Sequence, residues 1–183
     1  MSLGLRIPYR TAYVAALRVV GAMLPAVEKI EIAGSLRRCK PDVGDIEIVT
    51  VPRLVDEPLG DLFGSTQRVS LLERRLGELH TAGTLTSHPK LPANGAKYKR
   101  LWLPRPGIQV DLFIVTAATW ATALLIRTGP SEFSQRVVTK LHDHGLACRD
   151  LTIYRGQVAV PCPSEAAFLQ MAGMEWVEPE KRR

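Results

Sequence analysis

The sequence predicts an α+β protein, a mixed sheet with helices followed by a smaller α/β unit, on three observations. Apolar runs at 29–33, 44–51 and 108–115 have the length and patterning of strands. Ahead of the first run Tyr13, Leu17, Val20 and Leu24, and between the second and third Val69, Leu72, Leu76 and Leu79, recur at helical spacing. Beyond Val115 the pattern changes to two helices, a hairpin and a last short helix. The expected division is a sheet-based unit over 1–117 and a smaller unit over 118–183. At 183 residues the chain suits one substantial domain, or a domain with a small appendage.

The elements follow in order. Pro8 suits the first turn of a helix whose apolar face is Tyr13, Leu17, Val20 and Leu24, and Pro25 stops it. Lys29–Ala33 alternates as a first strand, and 44–51 makes a second. Pro52–Gly64, with two prolines and two glycines, reads as a surface loop. Ser65 is the expected cap of the following helix, whose leucine stripe is too short for a coiled coil. The run 108–115 is the third strand. Thr116–Ile126 is an apolar helix broken by Thr128-Gly129-Pro130, and Pro130 opens the next, which turns Phe133, Val137, Val138 and Leu141 inward. Gly145 ends it, a hairpin turns at Arg155-Gly156, and Ser164 caps the last helix.

Composition narrows the function classes. A hydrophobic share of 46% with 23% charged residues is that of an ordinary globular chain. The net charge of +6 suits a polyanionic partner without requiring one. Cys39, Cys148 and Cys162 are scattered without metal-ligand spacing, which argues for a reducing, intracellular compartment: cytoplasm, nucleoid or virus-associated. No apolar run has membrane-spanning length, and the N-terminus does not resemble a signal peptide.

The chemistry concentrates in Gly34-Ser35-Leu36-Arg37-Arg38 and in Asp45-Ile46-Glu47-Ile48. Residues two apart on a strand share a face, so Asp45 and Glu47 project together. Paired acids repel unless a cation sits between them, and hard divalent cations take oxygen ligands. A single D-x-E also fits the wet face of an amphipathic strand. The small Gly34-Ser35 turn, with free N–H groups and a hydroxyl, suits phosphate, as do the arginines after it. Asp111 is the one charge within the apolar run 108–115, which makes it a third candidate ligand. Leu79 to Val110 carries no acid but holds Lys90, Lys97, Lys99, Arg100 and Arg105 among Tyr98 and Trp102. That run fits a nucleic-acid backbone and equally a solvated face, as do Arg136 and Lys140, four apart on one helix face.

Gly34-Ser35 followed, after nine intervening residues, by Asp45-Ile46-Glu47 resembles the signature of the polymerase-beta-like nucleotidyltransferases, and of family X DNA polymerases in particular. The resemblance extends to Arg6-Ile7-Pro8, Thr128-Gly129, Phe133, the 151–160 hairpin, Ser164-Glu165 and Trp176-Val177-Glu178-Pro179. It implies a nucleotidyltransferase palm over 1–117 and a small thumb over 118–183, without the lyase and fingers domains of larger members. By it, Asp45, Glu47 and Asp111 are catalytic carboxylates holding two Mg2+ ions, with Mn2+ as a substitute. Arg6, Gly34, Ser35, Arg38, Thr128, Gly129, Phe133 and Ser134 bind the nucleotide. Lys97, Lys99, Arg100, Arg136 and Lys140 are the candidate nucleic-acid contacts.

The chain departs from the family's usual residues at three places. Glu47 stands where an aspartate is usual, Ile126-Arg127 replaces an aromatic pair, and Ser134 replaces an asparagine. The family's cis peptide after the T-G glycine falls on Gly129–Pro130, where a proline lowers the cost of cis to about 0.5–1 kcal/mol. The implied activity is DNA-directed addition of dNMP to a primer 3′-hydroxyl, filling short gaps in repair or replication. The implied partners are primer-template or gapped DNA and a dNTP, for a monomer that an accessory DNA-binding protein could assist. A template-independent, small-molecule or RNA-end nucleotidyltransferase is the alternative, and a non-catalytic nucleic-acid-binding module a third.

Overall fold

The structure is a computed structural model and describes residues 6–59 and 64–183. The chain opens with a two-residue strand β1 (Ile7–Pro8) and helix α1 (Tyr9–Met23). Strand β2 (Val27–Ile32) leads into a single helical turn, α2 (Gly34–Arg37), and then β3 (Asp42–Val43) and β4 (Asp45–Pro52) follow. A hairpin, β5 (Leu54–Pro58) with β6 (Thr66–Ser70), precedes α3 (Leu71–Thr81). Next come β7 (Thr86–Ser87), β8 (Ala93–Asn94), β9 (Tyr98–Leu103) and β10 (Ile108–Ile114). Helices α4 (Trp120–Thr128) and α5 (Ser131–Asp143) are followed by β11 (Ala147–Arg149), β12 (Thr152–Arg155), β13 (Val158–Val160) and α6 (Glu165–Met171).

The main sheet runs β2-β4-β10-β9-β7, with β8 also paired to β9. It is mixed: β4 and β10 are parallel and the other pairs antiparallel. The parallel pair is central and apolar on the face covered by α1 and α3, where Ile46, Ile48, Val110 and Leu112 are fully buried. Its other face carries the polar residues of interest. A second apolar cluster joins α4, α5 and α6 to the β11-β12-β13 sheet through Leu125, Phe133, Val137, Leu141, Ile153 and Phe168. A small third cluster, Val49, Phe113, Ala123 and Leu124, seats α4 on the polar side of the main sheet.

Several sequence expectations are corrected here. Helix α1 buries Ala12, Ala15, Ala16, Val19 and Met23, while Tyr13, Leu17 and Leu24 are exposed. Small side chains let the helix lie close to the sheet, so the buried face is alanine-rich instead of the bulkier stripe. The expected loop 52–64 contains β5, paired over its whole length with β6. The α3 cap is Ser70, whose Oγ accepts from Glu73 N at 3.4 Å. The first helix after the main sheet starts at Trp120 and runs through Thr128. The hairpin at 151–160 gains a third strand, β11, and the Ser164 cap is present, with Oγ accepting from Ala167 N. The expected cis bond at Gly129–Pro130 is present, and Arg105–Pro106 is cis as well. Among the described residues, no helix is long and apolar enough to cross a membrane.

Candidate active site

Strand register decides which carboxylates meet. Glu47 and Asp111 are direct partners in the β4–β10 pair, and Asp45 lies opposite Gln109. Period two on both strands puts all three acids on one face of the sheet. Their mutual influence is electrostatic. Burial and the Asp111 charge raise the Asp45 carboxyl above its ordinary value against the pull of Arg100, Arg6 and Arg38. Glu47, more deeply set, is pushed up to about 7, first by burial and then by Asp45 and Asp111. Among the described residues, no three His, Cys, Asp or Glu side chains converge closely enough to cage an ion as they stand. Three ionisable oxygen ligands that repel one another are nonetheless the donor set a hard divalent cation takes.

The Gly34-Ser35 segment is the α2 turn, set against β4 by Ala33 N donating to Glu47 O at 2.8 Å. Gly34 has φ +61, and a Cβ there would fall on the Glu47 carboxylate. Only glycine allows this approach, which holds Glu47 against the turn. Beside it, the buried Ser35 Oγ and Arg38 Nε have no hydrogen-bond partner among the described residues. Burial lowers the Arg38 guanidinium pKa, and the Glu47 charge opposes that. Two buried donors lacking an acceptor beside a carboxylate set mark a place for an anion.

The other expected nucleotide contacts divide. Gly129 and Ser134 line a cleft of ≈ 660 Å³ with Arg38, Glu47, Ile126 and Arg127. Ser134 Oγ donates to Ile126 O at 2.9 Å. Thr128 is fully buried; its Oγ1 accepts from Arg37 Nη1 at 2.8 Å and its carbonyl from Arg38, so it ties arginines together and does not face the cleft. Phe133 is core, 1% exposed, because its helix turns it inward under the guanidiniums of Arg136 and Arg182. Arg6 is exposed and donates to Asp42 O at 3.1 Å.

The expected nucleic-acid contacts are mostly engaged within the protein. A larger cleft of ≈ 1200 Å³ runs past Glu47, Lys97, Tyr98, Arg100, Asp111, Arg127 and Asp150. Lys97 Nζ pairs across it with Asp150 at 2.6 Å, both well exposed. Lys99 is 5% exposed and bonded to Asn94 and Glu73. Strand alternation puts it on the face opposite Tyr98 and Arg100, so it is not a cleft residue. Arg100 Nε bonds Asp111, Arg136 Nη2 donates to Arg183 O, and Lys140 is exposed on α5.

Three features escaped the sequence reading. Asp111 accepts from Tyr98 Oη at 2.8 Å, Arg100 Nε at 3.1 Å and Gln109 Nε2 at 2.9 Å. Burial and the bond to Asp111 push the Tyr98 phenol up to about 12. The Arg127 guanidinium lies 4.0 Å from the Phe113 ring centroid, on the wall shared by both clefts. Glu165 joins Arg37, at 2.6 and 2.9 Å, to the fully buried Arg182, at 2.9 Å, which fastens α2 to α6 and the C-terminal segment. Gln109 beside Asp111 was visible at i, i+2, but the other two features depend on tertiary pairing.

Sheet order, helix placement and the paired clusters make this a polymerase-beta-like α+β fold. Among the solved structures it is similar to is the crystal structure of Leishmania infantum polymerase beta in a ternary P/T complex, with a TM-score of 0.78 at 18% identity. The likeness covers 100% of this chain and 78% of that one. No protein-family model and no curated protein sequence matches the chain.

Proposed function

We propose that this chain is a DNA-directed nucleotidyltransferase of the family X polymerase type, adding dNMP to a primer 3′-hydroxyl. Residues 1–117 are its palm and 118–183 its thumb. The observation that carries the reading is that Ser35 Oγ and Arg38 Nε, buried without acceptors among the described residues, belong to the turn whose Gly34 lies against the Glu47 carboxylate. Phosphate oxygens supply the missing acceptors, and charge-assisted bonds of this kind are strong. Ser35 and Arg38 bind and orient the triphosphate, while Gly129, Ser134, Ile126 and Arg127 border the sugar and base. Asp45, Glu47 and Asp111 are the residues that would hold Mg2+. Bound there, such ions lower the pKa of the attacking hydroxyl and neutralise the leaving pyrophosphate. The fold's likeness to a polymerase beta held in a ternary P/T complex agrees with DNA and dNTP as partners.

One observation favours a second reading. Lys97, Lys99, Arg100 and Arg136 are engaged within the protein, which leaves fewer cations for a long duplex and suits transfer to a smaller acceptor. Primer extension on gapped, templated and blunt DNA, with Mg2+ and with Mn2+, decides between them. The first reading expects templated addition that Asp111→Asn abolishes while dNTP binding persists. Extension by Asp111→Asn at the wild-type rate removes the assignment, and absence of addition to every DNA substrate favours the second.

A further inference from the structure

Asp111 is bonded more heavily than a cation ligand requires. Arg100 is its direct partner in the β9–β10 pair, Tyr98 lies two residues away on the same strand face, and Gln109 precedes it by two on β10. An ionised carboxylate offers about four acceptor sites. Tyr98 and Arg100 use both on Oδ1 and Gln109 uses one on Oδ2, which leaves one on Oδ2. The neighbouring Lys99 shows what a structural cation looks like here: buried and turned to the opposite face onto Glu73 and Asn94. Arg100 instead stays on the cleft wall, its side chain 28% exposed, with only Nε on Asp111.

We propose that Tyr98, Arg100 and Gln109 form a positioning clamp that leaves Asp111 one acceptor site for a divalent cation, with Arg100 as the resident counter-charge. This rests on the reading of Asp45, Glu47 and Asp111 as a cation site. Arg100 then works in two opposed directions. Its charge weakens cation binding, because a like charge stands close to the ion. Its Nε–H bond, beside that of Tyr98 on the same Oδ1, fixes the direction from which Asp111 meets the reacting centre, which a freely rotating carboxylate would not hold. A residue that only supports the fold has no reason to separate these two effects.

The test is Mn2+ binding to the enzyme without nucleotide or DNA, read from the free-ion paramagnetic resonance signal, beside single-turnover incorporation and a melting curve. Arg100→Gln is expected to bind Mn2+ on the order of tenfold more tightly, as the nearby positive charge is gone, while incorporating more slowly. Arg100→Lys keeps the charge and loses the Nε–H bond to Asp111 Oδ1, so its Mn2+ affinity stays within about twofold of wild type while incorporation still falls. If Arg100→Gln melts early, Arg100→Lys and Tyr98→Phe carry the test, both with near-wild-type Mn2+ affinity and slowed incorporation. Unchanged or weaker Mn2+ binding by a folded Arg100→Gln overturns the clamp, as does unchanged incorporation in all three variants. Asp45→Asn separates the two layers. If it binds Mn2+ like wild type, the cation site itself is wrong and the clamp falls with it; if it loses Mn2+ while Arg100→Gln is unaltered, the clamp alone falls.

Discussion

Replacing Glu165 with alanine should cost the protein a large share of its stability. The carboxylate takes bidentate bonds from Arg37 and a third from Arg182, whose guanidinium is fully buried and already has Nη2 unpartnered among the described residues. Without Glu165, Arg182 becomes a buried cation with no ion-pair partner among the described residues. Breaking such a pair from one side costs about 3–5 kcal/mol. For a chain of this size each kcal/mol moves the melting temperature by roughly 2–4 °C, so the midpoint should fall by about 6–20 °C. Arg182 packs over Phe133 and Trp176, so exchanging it for methionine in the same variant should recover part of the loss. The pH dependence has a definite sign. Burial favours the protonated Glu165, but Arg37 and Arg182 outweigh it and hold the carboxyl below its ordinary value. Its contribution is present above the unfolded carboxyl's pKa and is lost as pH falls through the lower folded value. Calorimetric melts of wild type, Glu165→Ala and Glu165→Ala/Arg182→Met across acid pH test this. A single variant melting within about 2 °C of wild type, or a double variant less stable than the single, would show that Glu165 does not hold Arg182 in this way.

Three further outcomes follow from the same geometry. Gly34→Ala places an L-residue at φ +61 and its Cβ on the Glu47 carboxylate, so it should lose about 1–2 kcal/mol from the backbone alone. The shorter side chain of Glu47→Asp should restore part of the loss, and equal denaturation midpoints for Gly34→Ala and wild type would count against the close approach. Glu47 is raised to about 7, so metal-free protein should lose stability as pH rises from the ordinary carboxyl range through 7; saturating Mg2+ should flatten that decline, as melts at pH 5 and pH 8 will show. Asp150→Asn frees Lys97 across the larger cleft, so affinity for gapped DNA should rise and the salt slope steepen by up to about 0.9. An unchanged slope by fluorescence anisotropy means Lys97 does not reach a phosphate.

The parts of the fold that were legible in the sequence are those encoded locally. Asp45 and Glu47 share a face because strand period allows nothing else, and the apolar run around Asp111 marked a central strand. What was hidden depended on partners distant in the chain. Alanines 12, 15 and 16 form the buried face of α1, a choice that hydrophobic bulk cannot reveal because it depends on how closely the sheet approaches. The β5–β6 ribbon is held by its own ladder and is largely exposed, so it lacks the apolar alternation by which strands are recognised. Lys99 and Arg100 look alike in a basic run, but the period of β9 turns one to Glu73 and the other to Asp111. Thr128 and Phe133 were expected at the nucleotide, and their burial reflects contacts to Arg37, Arg38, Arg136 and Arg182 that no local pattern announces.

On the proposed function, one face of the β4–β10 pair and the α2 turn together hold a metal-bound nucleoside triphosphate. Anomalous diffraction from crystals grown with Mn2+, gapped DNA and a nonhydrolysable dNTP tests it most directly. Manganese density is expected against Asp45 and Glu47, with Asp111 reached through Oδ2 and phosphate oxygens on Ser35 Oγ and Arg38 Nε. Manganese away from these carboxylates, or a triphosphate that leaves Ser35 and Arg38 without acceptors, would contradict it.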